Sequence, residues 1–345
     1  MLFVDGRSAD HRPTGVGRYT KQLVHNWPNA NITVLTNSAD AWRPEKNFRL
    51  IALSEGARFH GVAAEMARHQ KYWSPESLLV PSLVSGTILT IHDLTPITIP
   101  DRHTARNRVF HRALLRRAAS SASSIIVPTR YVADAVLRHL PMCQGKVHVI
   151  HEGPSLNLGE DPLPRENIVT YLGTIEPRKN VSALIRSFRK VDLPGWRLRI
   201  IGKLGWLTAD ESAEFRSLVQ DDLVEWTGWL PDEDVARALA ISSILVYPSM
   251  DEGFGLPVLE GMAAGCAVLT SDAPALREVA GDAAIYVRRK NLEAELRMQL
   301  QRLMSDTALR EEMARRARER AEEFSWKHAA EETYACVRGQ RRPDA

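Results

Sequence analysis

Two glutamates, Glu252 and Glu260, bracket a turn containing Gly253 and Gly255 in the stretch SMDEGFGLPVLEGMAAG at 249–265. The apolar, β-branched run ISSILVYP just before it reads as a buried strand ending at Pro248. After the turn, residues 256–264 have helix-forming composition, with Pro257 in the first turn and Gly265 as a stop. Glycines let the backbone approach a ligand closely, and a helix start presents unpaired N–H groups at the positive end of its dipole. Those groups suit a phosphate. The acids then need a different partner, and hydroxyl groups fit, because a carboxylate accepts strong charge-assisted hydrogen bonds from them. Phosphate in the middle and hydroxyls at both ends is the pattern of a nucleotide-sugar.

E-G-F-G-L-P-V-L-E, with Pro248-Ser249 before it and G-M-A-A-G-C-A-V-L-T-S-D after it, resembles the E-x7-E motif of retaining glycosyltransferases of the GT-B fold, family 4. The resemblance implies that Glu252 holds hydroxyls of the transferred sugar and Glu260 the ribose of the nucleotide. It also implies that N–H groups around Phe254, Gly255 and Leu256 face the sugar and diphosphate. A second segment, IVTYLGTIEPRKNVSALIRSF, puts Arg178 and Lys179 in a strand-to-helix loop, where cations can reach a diphosphate. It resembles the family's G-x-x-E-P-R-K-N-x-x-x-L-I segment, in which the lysine pairs with donor phosphate. Many members carry an arginine directly after the glycine, and Thr174 stands there in this chain. Arg178 or Lys203, the latter in IIGKLGW, is expected to supply the second charge, and the choice between them stays open.

Three further segments are weaker. In LTIHDLTPITIP, His92 and Asp93 follow an apolar strand and so sit at its ligand-facing end. The segment resembles the family's H-D-x-x-P element beside the transferred sugar. That gives His92 a hydroxyl or the acceptor to organise, and Asp93 either the tautomer of His92 or a cap. Gly15-Val16-Gly17 precedes the helical YTKQLVHNW and resembles the glycine-rich loop that faces donor phosphates and acceptor. Arg18 beside it reads equally as an anion contact or a solvated helix residue. The segment 102–117, RHTARNRVFHRALLRR, runs from Arg102 to Arg117 with six arginines and no acid. Its apolar residues lie at helical spacing, so it reads as a core-facing stripe with a solvated basic face, or as a surface that meets anionic lipid.

These residues need elements to position them. At 345 residues the chain exceeds what one core usually supports, so two domains are expected. LFVD, ITVL, TILTI, IIVP and KVHVI, then IVTYLG, RLRIIG, LVEWTG, ILVYP, AVLT and AIYV, read as strands alternating with helical stretches. That alternation implies parallel sheets in an α/β fold. The Pro- and Gly-rich HEGPSLNLGEDPLPREN marks a linker. The expected division is an acceptor-side Rossmann-like domain over 1–155 and a nucleotide-sugar-binding one over 156–324. Residues 325–345 then form a last helix that packs back on the first domain, followed by a disordered basic tail beyond Gly339. Two facing Rossmann-like domains would leave an interdomain cleft that clamps a donor and excludes water. Residues 292–323 interleave acid and base and read as a solvent-facing helix pair.

Composition narrows the function classes. A net charge of +3 carries no global nucleic-acid signal. The three cysteines, Cys143, Cys266 and Cys336, show no metal spacing and suit a reduced, cytoplasmic compartment. MLFVDGR reads as a first strand rather than a leader, and no run approaches the ~20 apolar residues of a membrane helix. The resemblance therefore implies a metal-independent, retaining hexosyltransferase, cytoplasmic and peripheral at the membrane. Its partners would be a nucleoside diphosphate sugar, a glycan or lipid-linked acceptor and, through the arginine-rich segment, anionic membrane. The E-P-R-K-N and G-K-L-G-W segments look most like mannosyltransferases using GDP-mannose. UDP- or dTDP-sugars are the alternative donors, and a nucleotide-sugar epimerase of the same fold is the alternative enzyme. A nicotinamide dehydrogenase fits less well, because no G-x-G-x-x-G follows a strand.

Overall fold

A computed structural model gives the fold. It describes residues 2–10, 15–29, 31–42, 48–53, 61, 65, 71–76, 87–94, 97, 114–159, 163–220, 222–341, 343 and 344. The chain divides into two compact units, Met1–Gly153 with Ser325–Ala345, and Pro154–Phe324.

In the first unit, β1 (Leu2–Asp5), β2 (Ile32–Thr36), β3 (Arg49–Ala52), β4 (Lys71–Ser74), β5 (Thr87–Thr90), β6 (Ser124–Val127) and β7 (Val147–Val149) form one sheet. Every pairing is parallel, in the order β3-β2-β1-β4-β5-β6-β7. Burial on both faces explains why β1, β2 and β5 read as unbroken apolar or β-branched runs. Helices α1 (Gly15–His25) and α2 (Arg130–His139) belong to this unit, and Thr129 caps α2 by accepting from Val132 N. The C-terminal helix Trp326–Arg338 belongs to it too. Trp326 meets Tyr19 of α1 edge-on at 5.8 Å, and Trp27 stacks on Trp73 of β4 at 6.1 Å.

The second unit holds β8 (Glu166–Leu172), β9 (Arg197–Ile201), β10 (Val224–Gly228), β11 (Ser242–Tyr247), β12 (Ala267–Ser271) and β13 (Ala284–Val287). They pair in parallel in the order β10-β9-β8-β11-β12-β13. The strand order reverses direction between β8 and β11, and in open parallel sheets ligands bind beyond the strand ends at such a switch point. Both candidate loops, 173–180 and 248–255, leave the sheet there. The covering helices are α3 (Val181–Arg189), α4 (Ala209–Leu218), α5 (Asp232–Ile241), α6 (Leu256–Ala263), α7 (Pro274–Ala280), α8 (Leu292–Ser305) and α9 (Thr307–Ala321). Both units are thus Rossmann-like.

Two expectations from sequence are corrected. Helices α8 and α9 are not merely solvent-facing. Leu296, Leu300, Leu303, Met304, Met313, Ala317 and Ala321 are buried, with α8 against α3 and α9 against α6 and β12. The interleaved charges occupy only their outer faces. Nor is the chain beyond Gly339 a loose tail. Asp344 N donates to Val147 O at 2.8 Å, Val149 N donates to Asp344 Oδ2 at 2.8 Å, and Arg341 pairs with Glu332, so the tail lies along β7. Most of the arginine-rich segment 102–117 lies outside the described residues. Of its described part, Leu115 is buried, whereas Arg116 and Arg117 are exposed.

Candidate active site

The loop after β8 folds as a single 3-10 turn, Pro177–Lys179, and continues into Asn180, which adopts the left-handed conformation at φ 55°. Asparagine tolerates that region better than most residues. Its side chain donates to Pro248 O at 2.9 Å, and Met250 N donates to Arg178 O at 2.8 Å. These two bonds join the loop after β8 to the loop after β11. They bring Arg178, Lys179 and Glu252 together.

Four donors converge on one carboxylate oxygen, Glu252 Oε1. Lys179 Nζ lies at 2.5 Å, Ser249 Oγ at 2.6 Å, an Arg178 terminal nitrogen at 2.9 Å and Tyr247 OH at 3.0 Å. Arg178 also pairs with Glu176 at 3.1 Å and donates to Asp251 O at 2.9 Å. Lys179 additionally donates to Tyr247 OH and lies 4.8 Å from the centre of that ring. The cluster is mostly enclosed. Burial works against the charge on Glu252, but Lys179 and Arg178 outweigh it and hold the carboxyl at about 2. Burial pushes the Lys179 ammonium below the ordinary lysine value, with Glu252 pulling the other way.

Helix α6 begins directly after this cluster. Gly255 precedes it at φ 103°, and a side chain there would run into Leu276. No side chain caps the first turn. Leu256 is the first helical residue, and Pro257 next to it has no N–H to leave unpaired. Phe254 contributes backbone only, because its ring is buried in the core, edge-on to Phe324 at 6.0 Å. Glu260 follows on α6 and is buried.

Thr174 and Lys203 occupy neighbouring strand ends. Ile175 N donates to Lys203 O at 2.9 Å, which ties the loop after β9 to the loop after β8. Lys203 is exposed, and its ammonium has no side-chain partner among the described residues. Arg178, by contrast, already serves Glu176 and Glu252. The second unit therefore carries Arg178, Lys179, Lys203, Glu252, Phe254, Gly255, Leu256 and Glu260 on the loops after β8, β9 and β11 and on α6, beyond the carboxyl ends of those strands.

His92 and Gly15 belong to the first unit. Gly15 opens α1 and is exposed. His92 lies two residues past β5, edge-on to Tyr19 at 4.6 Å. Both its ring nitrogens are engaged: Nε2 donates to Pro75 O at 2.9 Å, and Nδ1 faces Glu152 Oε1 at 3.5 Å. Glu152, not Asp93, is the carboxylate on Nδ1. Burial alone would lower this imidazole, but the bond to Glu152, its charge and the Pro75 carbonyl raise it above its ordinary value. The sequence places Glu152 at the start of a linker, and the Gly153-Pro154 that follows it carries no signal of a buried acid.

Among the described residues no group of three or more His, Cys, Asp or Glu side chains could hold a metal ion, and no helix is long and apolar enough to cross a membrane. Residues 13–157 match the model described as Glycosyltransferase Family 4, and residues 160–320 match Glycosyl transferases group 1. The chain is a family 4 glycosyltransferase. This glycosyltransferase is 27% identical over 285 residues to the O-antigen chain mannosyltransferase B of Escherichia coli, covering 76% of this chain and 72% of that one. It is 28% identical over 213 residues to the O-antigen chain mannosyltransferase RfbU of Salmonella typhimurium, covering 60% of this chain and 58% of that one. Its fold matches sucrose-phosphate synthase from Thermosynechococcus elongatus with a TM-score of 0.80 at 20% identity, covering 98% of both chains. It also matches Anabaena HepE in complex with UDP-glucose, with a TM-score of 0.80 at 15% identity, over 98% of this chain and 99% of that one. The fold class is GT-B, with two Rossmann-like domains.

Proposed function

We propose that this glycosyltransferase moves mannose from GDP-mannose to a hydroxyl of a glycan or lipid-linked acceptor in polysaccharide biosynthesis, with retention at the anomeric carbon. The observation that carries the proposal is the cluster of Arg178, Lys179 and Glu252 at the β8–β11 switch point, beside the uncapped start of α6. Mannose and polysaccharide are supported by relatives named O-antigen mannosyltransferases. A nucleotide-sugar donor is supported by a structural neighbour bound to UDP-glucose.

In this proposal Lys179, Lys203 and the N–H groups at Gly255 and Leu256 receive the diphosphate, with Arg178 behind them. They act where negative charge develops as the bond from anomeric carbon to phosphate oxygen breaks. The acceptor oxygen forms the new bond, and its proton leaves with the diphosphate. Glu252 takes sugar hydroxyls and Glu260 the ribose. His92, with both nitrogens already bonded, acts on the transferred sugar or acceptor through its charge. These cations meet the charge of the leaving group, so turnover is expected to survive a metal chelator. The exposed Arg116 and Arg117 belong to the segment proposed to meet anionic lipid at the cytoplasmic face.

Labelled GDP-mannose, UDP-glucose and dTDP-sugars, each incubated with and without a lipid extract, test the proposal. Transfer from GDP-mannose into an α-linked product supports it. Transfer only from another donor would change the sugar. Release of an isomerised nucleotide-sugar without acceptor would make the enzyme an epimerase.

A further inference from the structure

Glu252 sits where an incoming anion needs to be. Its Oε1 takes four hydrogen bonds, from Arg178, Lys179, Tyr247 and Ser249, as many as a well-bound phosphate oxygen receives. Glu176 takes a further bond from Arg178. Two cations thus face two carboxylates, and an arriving diphosphate meets a neutral cluster. We propose that Glu252 is an internal stand-in for the donor's diphosphate, which must be exchanged off Arg178 and Lys179 when the donor binds and returns when the product leaves. This rests on the donor reading of the site given above.

The exchange has a direction built into its chemistry. A carboxylate displaced from two cations and two hydroxyls loses charge-assisted bonds and must find other donors. An intact donor supplies them, because its sugar hydroxyls arrive together with its diphosphate. A nucleoside diphosphate alone does not. Glu252 therefore favours the donor over the product that shares its nucleotide, and after transfer it competes for the cations and helps expel the diphosphate. Only side-chain rotation is needed, since Glu252 lies on the turn before α6 and its backbone can stay in place. Lys203, exposed and without a side-chain partner among the described residues, is the cation that meets the incoming phosphate first.

The test is calorimetric titration of the wild type, Glu252→Gln, Ser249→Ala and Lys179→Ala with GDP and with UDP in parallel. Far-ultraviolet circular dichroism confirms that each variant is folded. Lys179→Ala should weaken the nucleotide that binds by about tenfold or more. Glu252→Gln, which removes the competing charge but keeps an amide acceptor for the same donors, should tighten it by about tenfold. Ser249→Ala, which keeps the acid but removes its closest neutral donor, should tighten it by a smaller factor of about two to five. If Lys179→Ala leaves binding unchanged, the donor site is wrongly placed, whatever Glu252 does. If Lys179→Ala weakens binding while Glu252→Gln leaves it unchanged or weaker, the donor site stands and the stand-in is overturned. Should Glu252→Gln fail to fold, unchanged or weaker binding by Ser249→Ala overturns it equally.

Discussion

Glu252, mostly enclosed, and Glu152, buried, are both carboxylates near the carboxyl ends of parallel strands, and their partners differ in kind. Glu252 faces Arg178 and Lys179, and its carboxyl is held at about 2. Glu152 faces His92, a cation only while protonated. Glu252 keeps its charge across the whole physiological range, beside the proposed diphosphate site. His92 loses its charge as pH rises through its raised value. The pH dependence that follows His92, above the ordinary histidine value, should therefore originate in the first unit, while the proposed anion recognition belongs to the second.

The largest way to break the comparison is Glu252→Gln assayed for transfer. Loss of charge-assisted bonds to sugar hydroxyls should lower kcat about 10- to 100-fold, read from product formed at saturating donor. An unchanged kcat would remove Glu252 from the reacting sugar. Glu260→Gln should act differently. It should weaken the free nucleoside diphosphate by about 1–2 kcal/mol, since ribose recognition does not require the sugar, and calorimetry with GDP or UDP reads this directly. Opposite responses of the two acids to free nucleotide would sharpen the division of labour. A matching loss in both would mean the roles are wrongly divided.

A third change addresses the first unit. Because His92 is raised above its ordinary value, the His92–Glu152 pair contributes stability that is fully present below about pH 6.5. That contribution disappears as pH rises through the raised folded value. Glu152→Gln should thus cost about 1–3 kcal/mol in urea unfolding at pH 6 and less at pH 9. Glu252 has the opposite sign. Its lowered carboxyl contributes stability above about pH 4.5, lost as pH falls toward about 2. A Glu152→Gln penalty that grows with pH would contradict the protonated His92.

The second unit's site was legible because its chemistry is local. Arg178 and Lys179 stand in one short loop and Glu252, Gly255 and Glu260 in another, so sequence spacing captured both. What it missed was their mutual contact. Sequence alone gives Glu252 to hydroxyls and Lys179 to phosphate, yet the bonds of Asn180 and Met250 place the two side chains together. The first unit was harder because its pairs are distant. His92 and Glu152 lie sixty residues apart in sequence, and the glycine and proline after Glu152 signal a linker rather than a buried acid. Strands β3 and β4 were missed for a similar reason. Arg49–Ala52 is an edge strand with partly exposed residues, and KYWS is too short to show alternation. The alternating strands and helices did convey the two parallel sheets. The charge-interleaved α8 and α9 hid their buried faces because arginine and glutamate dominate their composition.

The most direct test of the diphosphate site is the thermal shift of the wild type and Lys179→Ala with saturating GDP and with UDP. Ligand that binds only the folded state raises the melting temperature in proportion to its occupancy and affinity. The wild type should gain several degrees from the nucleotide of its donor, and Lys179→Ala should gain little or nothing while melting as a folded protein without ligand. An equal shift in both proteins would contradict the placement of the diphosphate on Lys179, and with it the account of the β8–β11 site.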